Sequence, residues 1–203
     1  MANHYYSIDW NYDEIYKNNI HSVDVSNYNI LRDLKNVDIS ESIQLVFNCF
    51  SDLKDASSTI IFCEDIGLYH GFILQRDLLD NLCKNLIIPH CKISLNIEEH
   101  NKIHHKFLKI GAPFNVIDFE NSYFTNYKTK EQKKFKNYEE LTKLRNCGEY
   151  YFDVTKILIK KEYDIFVNPL YSELMCSERG KATLNKVFKN VFIFNPRENY
   201  VSY

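Results

Sequence analysis

Glycine and proline are scarce in this chain, five and four among 203 residues. Collagen repeats, flexible Gly/Ser linkers and proline-rich low-complexity tracts are therefore excluded. The glycines form neither a G-x-G-x-x-G nor a phosphate-loop spacing, and neither Ser172 nor Ser177 stands in a G-x-S-x-G elbow. No cofactor is expected. Long apolar runs are missing as well: the charge-free run from Ile66 to Gln75 is about half of the roughly 20 residues that span a bilayer. The opening MANHYYSIDWNYDE has neither the basic start nor the apolar stretch of a secretory leader. Six cysteines fall singly, with no C-x-x-C pair, and read as reduced, buried thiols of a cytoplasmic protein.

What is present is an ordinary globular composition, 45% hydrophobic and 26% charged. A single domain over 1–203 would bury roughly 70% of its unfolded surface. Aromatics make up 15%, with 15 Tyr and 14 Phe against one Trp, which favours sheet and adhesive surface. The formal charge is −2, but residues 1–100 hold 7 Lys/Arg against 15 Asp/Glu and residues 101–203 hold 18 against 12. An acidic subdomain 1–100 and a basic subdomain 101–203 are a natural division. Either the two neutralise each other, or an acidic face steers a basic protein partner.

Hydrophobic patterning predicts an α+β fold, with mixed or antiparallel sheet flanked by a few helices. HYYSIDW, SIQLVFNCF and STIIFC read as strands. Ile73, Leu74, Leu78, Leu79, Leu82 and Leu86 recur at helical spacing, and Pro89 ends that helix before a strand over Lys92 to Ile97. A second unit of the same kind follows Met175 and Cys176. Ser177 is its N-cap, Leu184, Val187 and Phe188 form the apolar stripe, and a strand over Val191 to Phe194 is closed by Pro196. Two strand-helix-strand units, a degenerate internal repeat in pattern, allow parallel pairing within each. The run Phe114 to Phe119 reads as a strand carrying Asp118, ending at Glu120, Asn121 and Ser122.

Several residue sets carry possible chemistry. His100 and His104, beside His105, have zinc-compatible i, i+4 spacing, but in a strongly polar segment that reads as solvated. Asp118 and Glu120 with Glu131 and Lys133 mimic the D…E-x-K layout of metal-dependent nucleases. That layout wants the E-x-K triplet on a buried strand, whereas here it stands among Lys128, Lys130, Lys134 and Lys136. The same lysines, interleaved with Tyr127, Phe135 and Tyr138, are a weak phosphate-patch pattern in a slightly acidic chain, and nucleic acid is not the expected partner.

FLKIGAPFNVIDFENSYF resembles the central motif of immunity protein family 11 of bacterial polymorphic toxin systems, with Asp118, Glu120 and Ser122 in VIDFENS. DIFVNPLYSELMCSERGKATLNKVFKNVFIFNP is similar to that family's closing unit, with Ser177, Glu178 and Arg179 as its S-E-R. GFILQRDLLDNLCKNLIIPHCKISLNI resembles an earlier copy of the unit but has Gln75, Arg76 and Asp77 at the turn. The resemblance implies a cytoplasmic, non-enzymatic protein that binds a cognate toxin domain and occludes its active or substrate site. Neither membrane nor metal enters, and the alternative is the metal-dependent nuclease or hydrolase above. Candidate toxin contacts are the aromatic and acidic residues of the first segment: Tyr5, Trp10, Tyr12, Asp13, Glu14 and Tyr16.

Overall fold

The first strand sits inside the larger sheet rather than at an edge. A computed structural model describes residues 4–17, 23–25, 44–49, 60–61, 71–97, 105–146, 152–160 and 162–202. The strands are β1 (His4–Trp10), β2 (Val23–Val25), β3 (Gln44–Cys49), β4 (Ile60–Ile61), β5 (Gly71–Gln75), β6 (His90–Ile97), β7 (His105–Ile110), β8 (Tyr123–Asn126), β9 (Gln132–Lys133), β10 (Phe152–Ile159), β11 (Ile165–Val167), β12 (Leu174–Ser177) and β13 (Phe192–Ser202). The helices are α1 (Tyr12–Lys17), α2 (Arg76–Asn85), α3 (Tyr138–Asn146) and α4 (Glu178–Phe188). A seven-stranded sheet has the order β11-β12-β1-β13-β10-β8-β9, and a six-stranded sheet the order β2-β3-β6-β7-β5-β4. Both are mixed, with parallel pairs at β10–β13 and β3–β6 and antiparallel pairs elsewhere. The fold is α+β.

Because β1 lies between β12 and β13, both of its edges are hydrogen-bonded, and a core packs on each of its faces. Alternate side chains point to opposite sides of a strand, so Ile8 and Trp10 join one core and Tyr5 the other. The first core holds Phe72, Leu74, Leu108 and Ile110 of the six-stranded sheet, Leu79 and Leu82 of α2, and Leu184 and Phe188 of α4. Phe192 is its aromatic centre, with Trp10, Phe72 and Phe188 at 5.1, 5.3 and 5.5 Å between ring centroids. The second core lies on the other face of β1 and β12 and gathers Val116, Ile117, Phe119, Phe124, Phe135, Leu141, Ile157, Ile159 and Tyr200.

The helix over Arg76–Asn85, the Ser177 N-cap and the stripe through Leu184 and Phe188 match the expectations from spacing. In both strand-helix-strand units the joined strands do not pair with each other; β7 lies between β5 and β6, and β1 between β12 and β13. Pro196 does not close the last strand. β13 runs on to Ser202, with a register shift between the residues facing Tyr6 and His4 absorbing the irregularity. The division near residue 100 is crossed twice, since β7 completes a sheet of first-half strands and β1 completes a sheet of second-half strands.

Phe114 to Phe119 is not a strand. Pro113 starts a 3-10 turn over Phe114–Val116, Ile117 makes an isolated bridge to Ile159, and the chain then turns. Val116, Ile117 and Phe119 are all buried while Glu120 is exposed, so the alternation expected of a strand fails. The cause lies in the hydrogen bonds of the Asp118 turn.

Candidate functional site

Asp118 caps its own turn. Its Oδ1 accepts from the Asn121 amide at 3.2 Å and its Oδ2 from Asn121 Nδ2 at 2.9 Å, the short-range Asx bonding that competes with strand formation. The Asp118 carbonyl accepts from the Ser122 amide at 2.9 Å and the Ser122 hydroxyl at 2.6 Å. Ser122 Oγ in turn accepts from the Leu158 amide at 2.9 Å. The Asp118 amide donates to the Leu158 carbonyl and the Lys160 amide to the Val116 carbonyl, so the turn is stitched to β10 at several points. Ser122 is fully buried with its proton given to a backbone carbonyl. It is a fastener, not a nucleophile with a base beside it.

Outside this turn the same segment walls a groove of about 590 Å³. Phe114, Phe119 and Tyr138 supply its apolar surface, and Asp118, Glu120, Glu139, Lys136 and Lys160 its charges. Phe114 is 51% exposed and packs against Tyr138 with ring centroids 4.3 Å apart and the planes tilted by 32°. Phe119 lies 6.0 Å from Phe124, and Phe124 lies 5.1 Å from Phe135. The groove and the β8–β9 hairpin therefore share one aromatic foundation. That hairpin carries two further exposed rings, Tyr123 and Tyr127, with the ammonium of Lys134 over the first at 4.6 Å and that of Lys130 over the second at 4.8 Å.

Glu131 and Lys133 do not line the groove with Asp118 and Glu120. Glu131 is exposed beside Thr129, whose hydroxyl donates to it at 3.3 Å. Lys133 lies on a two-residue strand with its ammonium 5.4 Å from the Phe135 ring centre. Among the described residues no group of three or more His, Cys, Asp or Glu is placed to hold a metal ion. His100 and His104 lie outside the described residues.

The S-E-R turn is a structural clamp. Asp164, 5% exposed, accepts on Oδ1 from Ser177 Oγ at 2.9 Å and Arg179 Nε at 2.8 Å, and on Oδ2 from Arg179 Nη2 and from the Ile87 amide at 2.7 Å. Burial pushes its carboxyl up, but the bonds from Arg179, Ile87 and Ser177 outweigh burial and hold it below the ordinary value of 3.8. Ser177 Oγ also accepts from the Gly180 amide at 3.1 Å, capping α4. Gly180 is required by crowding: a Cβ there would lie 2.2 Å from the Asp164 carbonyl oxygen. Glu178 points away and accepts from the Tyr6 hydroxyl at 2.5 Å.

Of the first-segment candidates, Tyr5 and Trp10 are buried, in the two cores that pack on opposite faces of β1. They are 1% and 7% exposed, and burial drives the Tyr5 hydroxyl up to about 12. Tyr12 and Asp13 are exposed on α1, and Glu14 is half-buried. The Tyr16 side chain lies outside the described residues. Phe114 and Tyr123 were not indicated by spacing, and the general excess of Tyr and Phe is their only sequence trace. Of the three aromatics interleaved with lysines, Phe135 is core, Tyr127 is exposed and Tyr138 lines the groove. No family model, curated protein or solved structure matches the chain.

Proposed function

We propose that this chain is an immunity protein that binds a toxin domain and covers its active or substrate site, without chemistry of its own. The observation that supports it best is the groove with Phe114 and Tyr138, backed by the exposed Tyr123 and Tyr127 of the adjoining hairpin. Exposed aromatic rings on a rigid foundation are the anchors that protein interfaces use, and a charged surround sets orientation and rate. On this reading the contact surface is residues 114–139, with Tyr12, Asp13 and Glu14 on α1 as a second, acidic contribution to steering. Occlusion requires only that the anchors seat beside the toxin's site.

The test is co-expression with the toxin domain encoded by the neighbouring gene, read as growth rescue and as a purified complex. Replacing Phe114 and Tyr127 together with alanine should weaken the complex by about 2 kcal/mol or more, the scale of hot-spot anchors. A complex of unchanged affinity would place the interface elsewhere.

A further inference from the structure

We infer that the chain is an internal duplication whose two halves have exchanged their first strands, so that each half completes the other's sheet. The evidence is a match of register, not of outline alone. In one sheet β5, α2 and β6 enclose β7; in the other β12, α4 and β13 enclose β1. Tyr5 faces Ser177 as His105 faces Gln75, Tyr6 faces Cys176 as Lys106 faces Leu74, and Ser7 faces Met175 as Phe107 faces Ile73. On the other side, Trp10 faces Phe192 as Ile110 faces His90, and Ile8 faces Phe194 as Leu108 faces Lys92. Just past each inner strand the same hydrogen bond recurs: Asn11 N–H to the Val191 carbonyl at 2.9 Å, and Gly111 N–H to the Pro89 carbonyl at 2.6 Å.

The correspondence continues outwards. β4 adds antiparallel to β5 as β11 adds to β12, with Ile60 opposite Leu74 and Ile165 opposite Cys176. β3 runs parallel beside β6, and β10 beside β13; β2 and β8 then add antiparallel. Matching positions are buried, Leu82 of α2 with Leu86 just past its end, and Leu184 with Phe188 of α4. In chain order each half begins with an inner strand, β1 or β7, and each of these lies in the other half's sheet. The halves differ at the helix entry, where Ser177 caps α4 and Gln75 makes no side-chain cap, and in β9, which has no counterpart in the six-stranded sheet. The Asp164 clamp belongs to the second half but reaches the Ile87 amide of the first.

A half standing alone would leave a strand-wide gap with two unpaired edges, a condition that folded sheets avoid. The two halves therefore fold as one cooperative unit, whatever the chain binds. The test keeps the full chain: a protease site is inserted between β6 and β7, and the folded protein is cut there. Both fragments should elute together at the volume of the uncut chain, separate only in denaturant and melt in one transition. Two fragments that part under native conditions, each with its own cooperative transition, would overturn the inference. Should the insertion prevent folding, hydrogen exchange on the unaltered chain decides. The amides of β1 and β7 should exchange within about tenfold of those of their flanking strands. Inner-strand amides exchanging about a thousandfold faster than their neighbours' would overturn it equally.

Discussion

Replacing Asp164 with alanine isolates the clamp that ties the start of β11, the cap of α4 and the end of α2 together. Three partners lose their acceptor: the Ser177 hydroxyl, the Arg179 guanidinium and the Ile87 amide. A hydrogen bond to a charged group contributes about 1.5–3 kcal/mol, and an amide left without a partner away from water costs about 1–3 kcal/mol. These do not add in full, because the Arg179 side chain is 58% exposed and its ion pair is screened to under about 1 kcal/mol. The net cost is then about 3 kcal/mol, most of it from the lost Ser177 bond and the unpartnered Ile87 amide. For a chain of this size that is a fall of about 6–12 °C in Tm. Arg179→Ala leaves Asp164 with Ser177 and Ile87 and should cost under about 1 kcal/mol. Urea denaturation of both variants at neutral pH is the assay. Asp164→Ala costing no more than Arg179→Ala would refute the clamp. The pH dependence is a second arm. A carboxyl held below its ordinary value stabilises fully above that value, and the contribution disappears as pH falls through the lowered one. The gap between wild type and Asp164→Ala should therefore hold down to the ordinary value of 3.8 and narrow below it.

Ser122→Ala removes the hydroxyl that bonds both the Asp118 carbonyl and the Leu158 amide, and urea titration should show a loss of about 1–3 kcal/mol. Gly71→Ala should prevent folding, visible as loss of the cooperative transition, because φ is +134° and a Cβ would lie 1.8 Å from the Leu108 carbonyl oxygen. At alkaline pH, Tyr5, with its hydroxyl pushed to about 12 from 10.0 by burial, stabilises fully below about 10 and loses that contribution as pH rises towards 12. Tyr5→Phe should accordingly flatten the alkaline limb of the stability curve. Exchanging Asp13 and Glu14 for lysine should slow association with the toxin domain at low salt and leave dissociation nearly unchanged, as stopped-flow kinetics would show. Unchanged association would remove α1 from the interface.

The parts of the fold visible in the sequence are those decided by local chemistry. The helix stripe of Leu79 and Leu82, the serine cap at Ser177 and the β-formers of HYYSIDW all act within one turn or one strand. The rest was hidden because it depends on long-range pairing. Tyr5 and Trp10 look like surface anchors until β1 is paired with two strands from the far end of the chain and a core packs on each of its faces. Phe114 to Phe119 has a strand's composition, but Asp118 and Ser122 offer the backbone hydrogen bonds that a turn needs, and the bridge of Ile117 to Ile159 holds it there. Pro196 reads as a stop, yet β13 passes through it with a register shift. Phe114 is exposed because the turn lifts it out onto Tyr138, which no periodicity announces.

The most direct test of the immunity function is co-expression of the full chain with the toxin domain of the neighbouring gene, followed by growth and co-purification. Rescue of growth with a stoichiometric complex, both lost when Phe114 and Tyr127 become alanine, is the predicted result. A toxin domain that neither binds nor is neutralised would contradict it, and a Tm raised by Mg²⁺ together with an activity abolished by Asp118→Asn would establish the hydrolase alternative instead.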